Sequence, residues 1–336
     1  MAVFIPLLVV LALGAAAYFG AQAGLQFLLG IVIPYVAVAV FLLGFIYKIL
    51  NWAKTPVPFS IATTGGQQKS LDWIKSSPID NPPNKGWTVV RMLFEVLLFR
   101  SLFRNTALKL HDGPRVTYNS AKWLWLFALL FHYAFLTVFI RHFRLFLEPV
   151  PLCIQGLEFL DGIFQVGVPR LYQTDIILPA AVLFLLLRRL FVDKVRYISL
   201  AADYFPLFLI LAIALSGIWM RYFGKTDITA VKTLTMGLMS LKPTIPDGIG
   251  YIFYMHMLFV SVLLLYFPFS KLMHLGGVFL SPTRNLPNNP RAVHHDNPWN
   301  PPKKFHTYAA YEDDFREHMV EVGLPVDKTL EEAEKE

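Results

Sequence analysis

Cysteine is nearly absent: Cys153 is the single one in 336 residues. That excludes an intrachain disulfide, a Cys-x-x-Cys iron–sulfur motif and the Cys-x-x-Cys-His attachment site of c-type haem. Charge is also scarce where the chain begins. None of the first 47 side chains is charged, a run too long for one membrane span and without the basic start of a cleaved signal peptide. It reads as two helices joined near Ala21–Gln26. The apolar stretches further on hold no run of Asp or Glu and no inverted repeat with matching broken helices, so a transporter would find little to work with.

Apolar residues are what the chain has instead: 55% of it is hydrophobic, with a mean hydropathy of +0.50. Crossing a ~30 Å hydrocarbon core takes about 20 helical residues. Beyond the first two helices, stretches at roughly 123–147, 176–192, 204–223 and 251–271 meet that need. The second of these four is short and ends in Arg188 and Arg189. The expected fold is an all-α integral membrane bundle of six spans, or five if the first two stretches do not both cross. Its parts are an additional helix at 1–27, a first core helix at 28–50, a loop at 51–122, the remaining four core helices at 123–275 and a tail at 276–336.

Charge orients the bundle. The 51–122 loop holds ten Lys and Arg against four Asp and Glu, and 193–203 with its flanking Arg188 and Arg189 is basic too. Segment 145–175 carries Glu148, Glu158, Asp161 and Asp175 against Arg170 alone. Basic loops stay in the cytoplasm, which places both termini there, in the inner membrane of a cell. The net charge of +7 then reflects loops beside anionic lipid headgroups and needs no nucleic acid.

Within the 51–122 loop, residues 55–86 are rich in Pro, Gly, Ser and Asn and read as irregular. Residues 87–104 have helical apolar spacing interrupted by Arg91, Glu95, Arg100 and Arg104. That pattern suits a helix in the cytoplasmic interface or one packed on a partner. The tail is Pro- and Asn-rich from Leu280, then mixed-charge and helical from about Glu312. It has too little apolar content for its own core and reads as a docking arm for a soluble partner. His294–His295 has no Cys or carboxylate cluster to make it a metal site.

Four histidines stand out against this background. His132 and His142 lie in one apolar stretch, His256 and His274 in or at the end of another. Intramembrane ionisable residues are costly and mark functional sites. A haem iron held by two histidines needs one imidazole from each of two helices at matching depth. The two stretches run antiparallel, so direction alone pairs His142 with His256 at one end and His132 with His274 at the other. Phase fits less well on straight helices. Eighteen residues make five full turns, ten fall about 80° short, and the rises differ, ~27 Å against ~15 Å. The alternatives are four unrelated histidines or a proton relay. Arg141, Arg144 and Arg221 near one end, and Arg188 and Arg189 near the other, are candidates to bind haem propionates, or are snorkelling interfacial side chains.

His132-x9-His142 followed by His256-x17-His274 resembles the respiratory nitrate reductase gamma-subunit family of di-haem membrane cytochromes b, over roughly residues 28–275. Within that superfamily the extra first helix, the segments PFSIATTGGQQKSLDWIK (58–75) and LFEVLLFRSLFRNT (93–106), and the Pro-rich tail resemble the DsrM family of the sulfite-reduction-associated Dsr complex. That resemblance implies two b haems and electron exchange with menaquinone. It also implies a cytoplasmic, heterodisulfide-reductase-like (DsrK-like) iron–sulfur partner, other membrane-complex subunits and a place in dissimilatory sulfur metabolism. Such a chain is a subunit of an oxidoreductase and catalyses nothing net alone. Quinol oxidation would need a proton-accepting group at the membrane edge, for which Asp161, Arg170, Tyr172 and Asp175 are candidates. The alternatives are the cytochrome b subunit of another respiratory oxidoreductase such as nitrate reductase, or a haem-free anchor or transporter.

Overall fold

The computed structural model describes residues 2–55, 57, 66–164, 170–293 and 305–333. His294–His295, Pro298, Pro301, Pro302 and part of the 58–75 segment lie outside the described residues. The elements run α1 (Phe4–Gln22), α2 (Ile33–Ala53), α3 (Lys85–Leu98), α4 (Arg100–Phe103), β1 (Thr106–His111), β2 (Arg115–Ser120), α5 (Lys122–His142) and α6 (Leu152–Asp161). They continue with β3 (Gly162–Phe164), β4 (Leu171–Tyr172), α7 (Thr174–Phe191), α8 (Asp193–Ile198), α9 (Ala201–Tyr222), α10 (Ile228–Met239), α11 (Tyr251–Tyr266), α12 (His274–Gly277), α13 (Tyr308–Glu321) and α14 (Leu330–Ala333).

Among the described residues, five helices are long and apolar enough to cross a membrane: Phe4–Gln22, Leu28–Ala53, Lys122–Leu145, Ala201–Tyr222 and Tyr251–Phe269. The expected short span forms α7, but Asp175, Arg188 and Arg189 on its 18 residues keep it out of that set. α1 and α2 are separate helices. Gly24, at φ +90°, makes the turn between them, a conformation that costs glycine little. A π-turn at Leu28–Val32 leads into α2, whose Pro34 has no N–H to give an α-helical ladder.

In the bundle, α5 packs on α7, α7 on α9, α9 on α11, and α11 on both α1 and α2. One core joins Val10, Ala134, Val182, Leu209 and Phe259 from five helices, and a second joins Ala17, Ala21, Leu29, Leu234 and Tyr254. Lipid is as apolar as leucine, so close packing holds such helices together, and small residues favour it. Ala17, Ala21 and Ala181 are wholly buried. Large side chains such as Leu8, Leu43, Tyr47 and Phe139 face outward.

Two expected helices are broken. The 87–104 stretch divides at Phe99 (φ 49°, ψ 46°) into α3 and α4. The asparagine at 84 caps α3, its side chain accepting from Trp87 N. The last span does not reach residue 271: Pro268 follows α11, lacks an N–H and ends the α-helical ladder. Two 3-10 turns and an extended Ser270 then lead to α12, with Ser270 Oγ accepting from Leu272 N at 3.2 Å.

Elements in three of the connections were not expected. A hairpin of β1 and β2 closes through Gly113 (φ +81°). α6, with the short β3–β4 pair, lies in the acidic segment, and α10 fills part of the 224–250 connection. The tail helix α13 starts at Tyr308, where the Thr307 side chain accepts from Ala310 N.

α3 is inside out relative to a soluble helix. Thr88 and Arg91 are buried and Glu95 bonds Arg284, while Val89, Leu93 and Leu97 are exposed on an i, i+4, i+8 ridge. An outward apolar ridge of this kind is suited to the membrane interface.

Candidate functional site

α5 begins at the basic loop and ends at the acidic 145–175 segment, so the bundle has a basic end and an acidic end. At the acidic end the His142 and His256 rings lie 6.4 Å apart between centroids and 12° from parallel. At the basic end the His132 and His274 rings lie 5.9 Å apart and cross at 88°. The four imidazoles are thus brought together two by two. Metal–imidazole bonds of about 2.0–2.1 Å, with each ring centre about 1 Å behind its nitrogen, put two rings on one metal about 6 Å apart.

Each imidazole is held by the nitrogen that would not bind a metal. His132 Nδ1–H donates to Ala128 O and His142 Nδ1–H to Val138 O, both at 2.7 Å, and His274 Nδ1–H donates to Lys271 O at 2.9 Å. Ser216 Oγ–H is turned toward the Ala212 and Ile213 carbonyls, so at 2.9 Å it accepts from His256 Nδ1–H. An Nδ1–H fixed to a carbonyl or hydroxyl orients the ring and leaves Nε2 as a basic ligand. Gly217 lies beside His256: a Cβ there would sit 3.4 Å from its Cε1. Among the described residues no group of three or more His, Cys, Asp and Glu could hold a metal ion. Two facing imidazoles without a further protein ligand among the described residues fit a metal whose other ligands come from a macrocycle, as in haem.

Cations gather at the acidic end. Arg141 pairs with Asp161 and donates to Thr174 Oγ1 at 3.1 Å, yet its Nε is buried with no hydrogen-bond partner. A buried guanidinium donor left over beside His142 fits the carboxylate of a bound cofactor. Arg144 pairs with Glu158, and Arg221 donates to Arg170 O at 3.1 and 3.3 Å. Arg141 and Arg221 both lie on the Tyr172 ring, at 3.3 and 4.2 Å from its centroid. At the basic end, Arg189 donates to Ser199 Oγ at 2.9 Å and lies 3.8 Å from Asp203, which also holds Lys271 at 2.7 Å. Of the neighbouring Arg188 and Arg189, Arg189 is the cation tied down in this way.

The four residues suggested for a proton-accepting edge differ. Asp161 is buried and saturated by Arg141, Thr174 N and Thr174 Oγ1, which makes it a structural clasp. Asp175 Oδ2 accepts from Tyr222 OH at 2.5 Å, and Tyr172 OH donates to Glu158 Oε1 at 2.5 Å. Burial and that Glu158 bond raise the Tyr172 phenol above its ordinary value, against the pull of Arg221 and Arg141. Arg170 presents its carbonyl to Arg221 and Tyr222, with its guanidinium 6.0 Å over the Phe159 ring. Sequence reasoning missed Ser216, Gly217, Glu158, Tyr222 and Phe99. The Ser-Gly pair inside an apolar helix was the one readable signal.

The sequence profile of the nitrate reductase gamma subunit family matches residues 116–293. The chain is 49% identical over 279 residues to the Hdr-like menaquinol oxidoreductase cytochrome b-like subunit of Archaeoglobus fulgidus, covering 81% of this chain and 83% of that one. Its counterpart of the same description in Archaeoglobus profundus is 42% identical over 276 residues, covering 80% and 82%. The chain is an integral membrane protein that belongs to the nitrate reductase gamma subunit family and is homologous to these cytochrome b-like subunits.

Proposed function

We propose that this protein is a di-haem cytochrome b subunit that exchanges electrons between menaquinol and an iron–sulfur subunit at the membrane. The observation that carries the reading is the pair of facing imidazole pairs, each ring anchored through Nδ1. His142 with His256 would hold one b haem and His132 with His274 the other. Two bound haems would supply one-electron redox chemistry at two depths.

The chain's own residues do the rest. Arg141, Arg144 and Arg221 set positive charge around the acidic-end pair, and the Arg141 Nε is placed to take a carboxylate. Arg188 and Arg189 do the same at the basic end. Quinol oxidation releases protons, and Asp175 and Glu158, each bonded to a tyrosine hydroxyl, are carboxylates able to receive them. Asp161, Arg170 and Tyr172 shape that edge. The positive-inside rule puts the basic end in the cytoplasm, where the tail would meet the partner. The names of the two archaeal relatives support menaquinol as the quinone and a heterodisulfide-reductase-like partner (DsrK-like), within a larger membrane complex. Dissimilatory sulfur metabolism, as in the DsrM family, is the setting proposed. The chain is a subunit of the oxidoreductase and has no net reaction alone.

A reduced-minus-oxidised spectrum with haem quantification on the purified chain tests this. Two b haems per polypeptide are expected, and a haem-free protein would overturn the reading.

A further inference from the structure

We infer that Phe99 is a positioning residue for the basic-end redox site: it holds the His132 imidazole crosswise to that of His274. This rests on the bis-imidazole reading above.

The backbone at residue 99 adopts a conformation that does not suit a phenylalanine. Phe99 has φ 49° and ψ 46°, the left-handed region, which costs a bulky side chain energy and which glycine adopts freely. The kink between α3 and α4 needs that conformation but does not need a phenyl ring. Strain of this sort persists only where the surroundings over-determine it, and it clusters at functional sites.

The surroundings here do so from several sides. Trp125 Nε1 donates to Leu98 O at 2.7 Å and Tyr133 OH to Leu97 O at 2.9 Å, clamping the end of α3 to α5. Glu95 bridges the kink: its Oε2 accepts from Ser101 N at 3.1 Å and Ser101 Oγ at 2.5 Å, while its Oε1 accepts from Arg284 Nε at 2.9 Å. Asp80 accepts from Arg100 at 3.3 Å and from Arg104 on the far side of the kink.

The ring so placed meets His132. Their centroids are 5.0 Å apart at 89°, and Phe131 meets the same imidazole at 4.9 Å and 80°. The bond from Nδ1 to Ala128 O tethers the His132 ring but leaves it free to rock about that axis. Two aromatic neighbours remove the freedom, and Phe99 is the one supplied from outside α5. The result is the 88° crossing with His274, where the acidic-end rings are parallel within 12°.

Ring angle is measurable. Crossed imidazole planes leave two iron orbitals nearly degenerate and give a ferric low-spin haem one large-g resonance, whereas parallel planes split them and give a rhombic spectrum. The experiment is low-temperature electron paramagnetic resonance with redox titration on the full-length, haem-loaded protein, the basic-end signal being the one lost in His274→Ala. Phe99→Gly, which relieves the backbone, and Phe99→Leu, which keeps the bulk, should retain two haems and move the basic-end signal toward the rhombic form. The acidic-end signal should stay, and Phe99→Tyr should keep the wild-type spectrum. An unchanged basic-end signal in Phe99→Gly, or an equal change at both sites, overturns the inference. Should the Phe99 variants fail to accumulate, Trp125→Phe frees the α3 clamp and must shift the basic-end signal alone; no shift there also overturns it. A wild-type protein without haem would instead be a failure of the haem reading.

Discussion

The two imidazole pairs are built by different means. At the acidic end both histidines sit on continuous helices, His142 at the last residue of α5 and His256 in the second turn of α11. At the basic end His132 is mid-helix, but its partner opens a four-residue turn beyond a proline break. The break resolves the mismatch of rises. Ten helical residues span ~15 Å and eighteen would span ~27 Å, so an unbroken α11 would carry His274 past His132. Ending the helix at Tyr266 brings it back. The surroundings differ as well: guanidinium and carboxylate groups frame the acidic-end pair, aromatic edges the basic-end pair. Rigid helices fix one site, and packing onto neighbours fixes the other.

The largest test of that difference is haem loss. His142→Ala and His256→Ala should each lower the haem content from two to one and leave the same residual spectrum, and His132→Ala and His274→Ala should leave the complementary one. Identical residual spectra from His142→Ala and His274→Ala would break the pairing.

Gly44→Ala should injure the basic-end site alone. A Cβ at Gly44 would lie 2.7 Å from Pro268 Cβ, in a ring that cannot rotate away, at the break that sets His274. Overpacking costs about 1–3 kcal/mol, which corresponds to roughly 5- to 150-fold weaker haem retention if it falls on the bound state. Timed haem transfer to an apo-acceptor protein measures it; equal loss from both sites would blur the comparison.

Ser216→Ala should act on the acidic end. It removes the acceptor for His256 Nδ1–H, lowering ligand basicity and raising that site's midpoint potential. A hydrogen bond of about 0.5–1.5 kcal/mol converts to roughly 20–60 mV for one electron. Redox titration reads the shift, and a fall in potential would contradict the argument.

Acid should loosen the basic end first. Burial pushes the Asp80 carboxyl up, but hydrogen bonds from Arg104, Ser77 and Arg100 outweigh it and hold the group below its ordinary value. A depressed carboxyl stabilises the fold above its unfolded pKa of about 4, and the stability is lost as pH falls through the lower, folded value. Hydrogen-exchange protection over 77–104, taken relative to the intrinsic exchange rate at each pH, should therefore fall at acid pH, and Asp80→Asn should show the lower protection already at neutral pH.

Much of this arrangement is legible in the residues. Which imidazoles meet follows from chain direction, because two antiparallel helices leave one pairing at each end. Chain direction says nothing about how far the helix runs. Pro268 announces its own break, yet the apolar pattern continues through Phe269 and hides it. The hairpin is signalled by Asp112-Gly113 between short alternating strands, but both faces of it are exposed, so hydropathy gives no sign of it. Phe99 was beyond reach: nothing local marks a phenylalanine as left-handed, and its conformation comes from Trp125, Tyr133 and Glu95 acting across the fold.

The Pro268 break has a mechanical consequence. A spanning helix meets a thinner bilayer by tilting. α5 carries His132 and His142 as one body, but α11 carries only His256. His274 is moored to α2 instead, where Gly276 and Gly277 let its turn sit against Ile49 and Trp52. A change of tilt in α11 is therefore absorbed at the break, and the basic-end geometry is buffered against the thickness of the membrane in which the protein works.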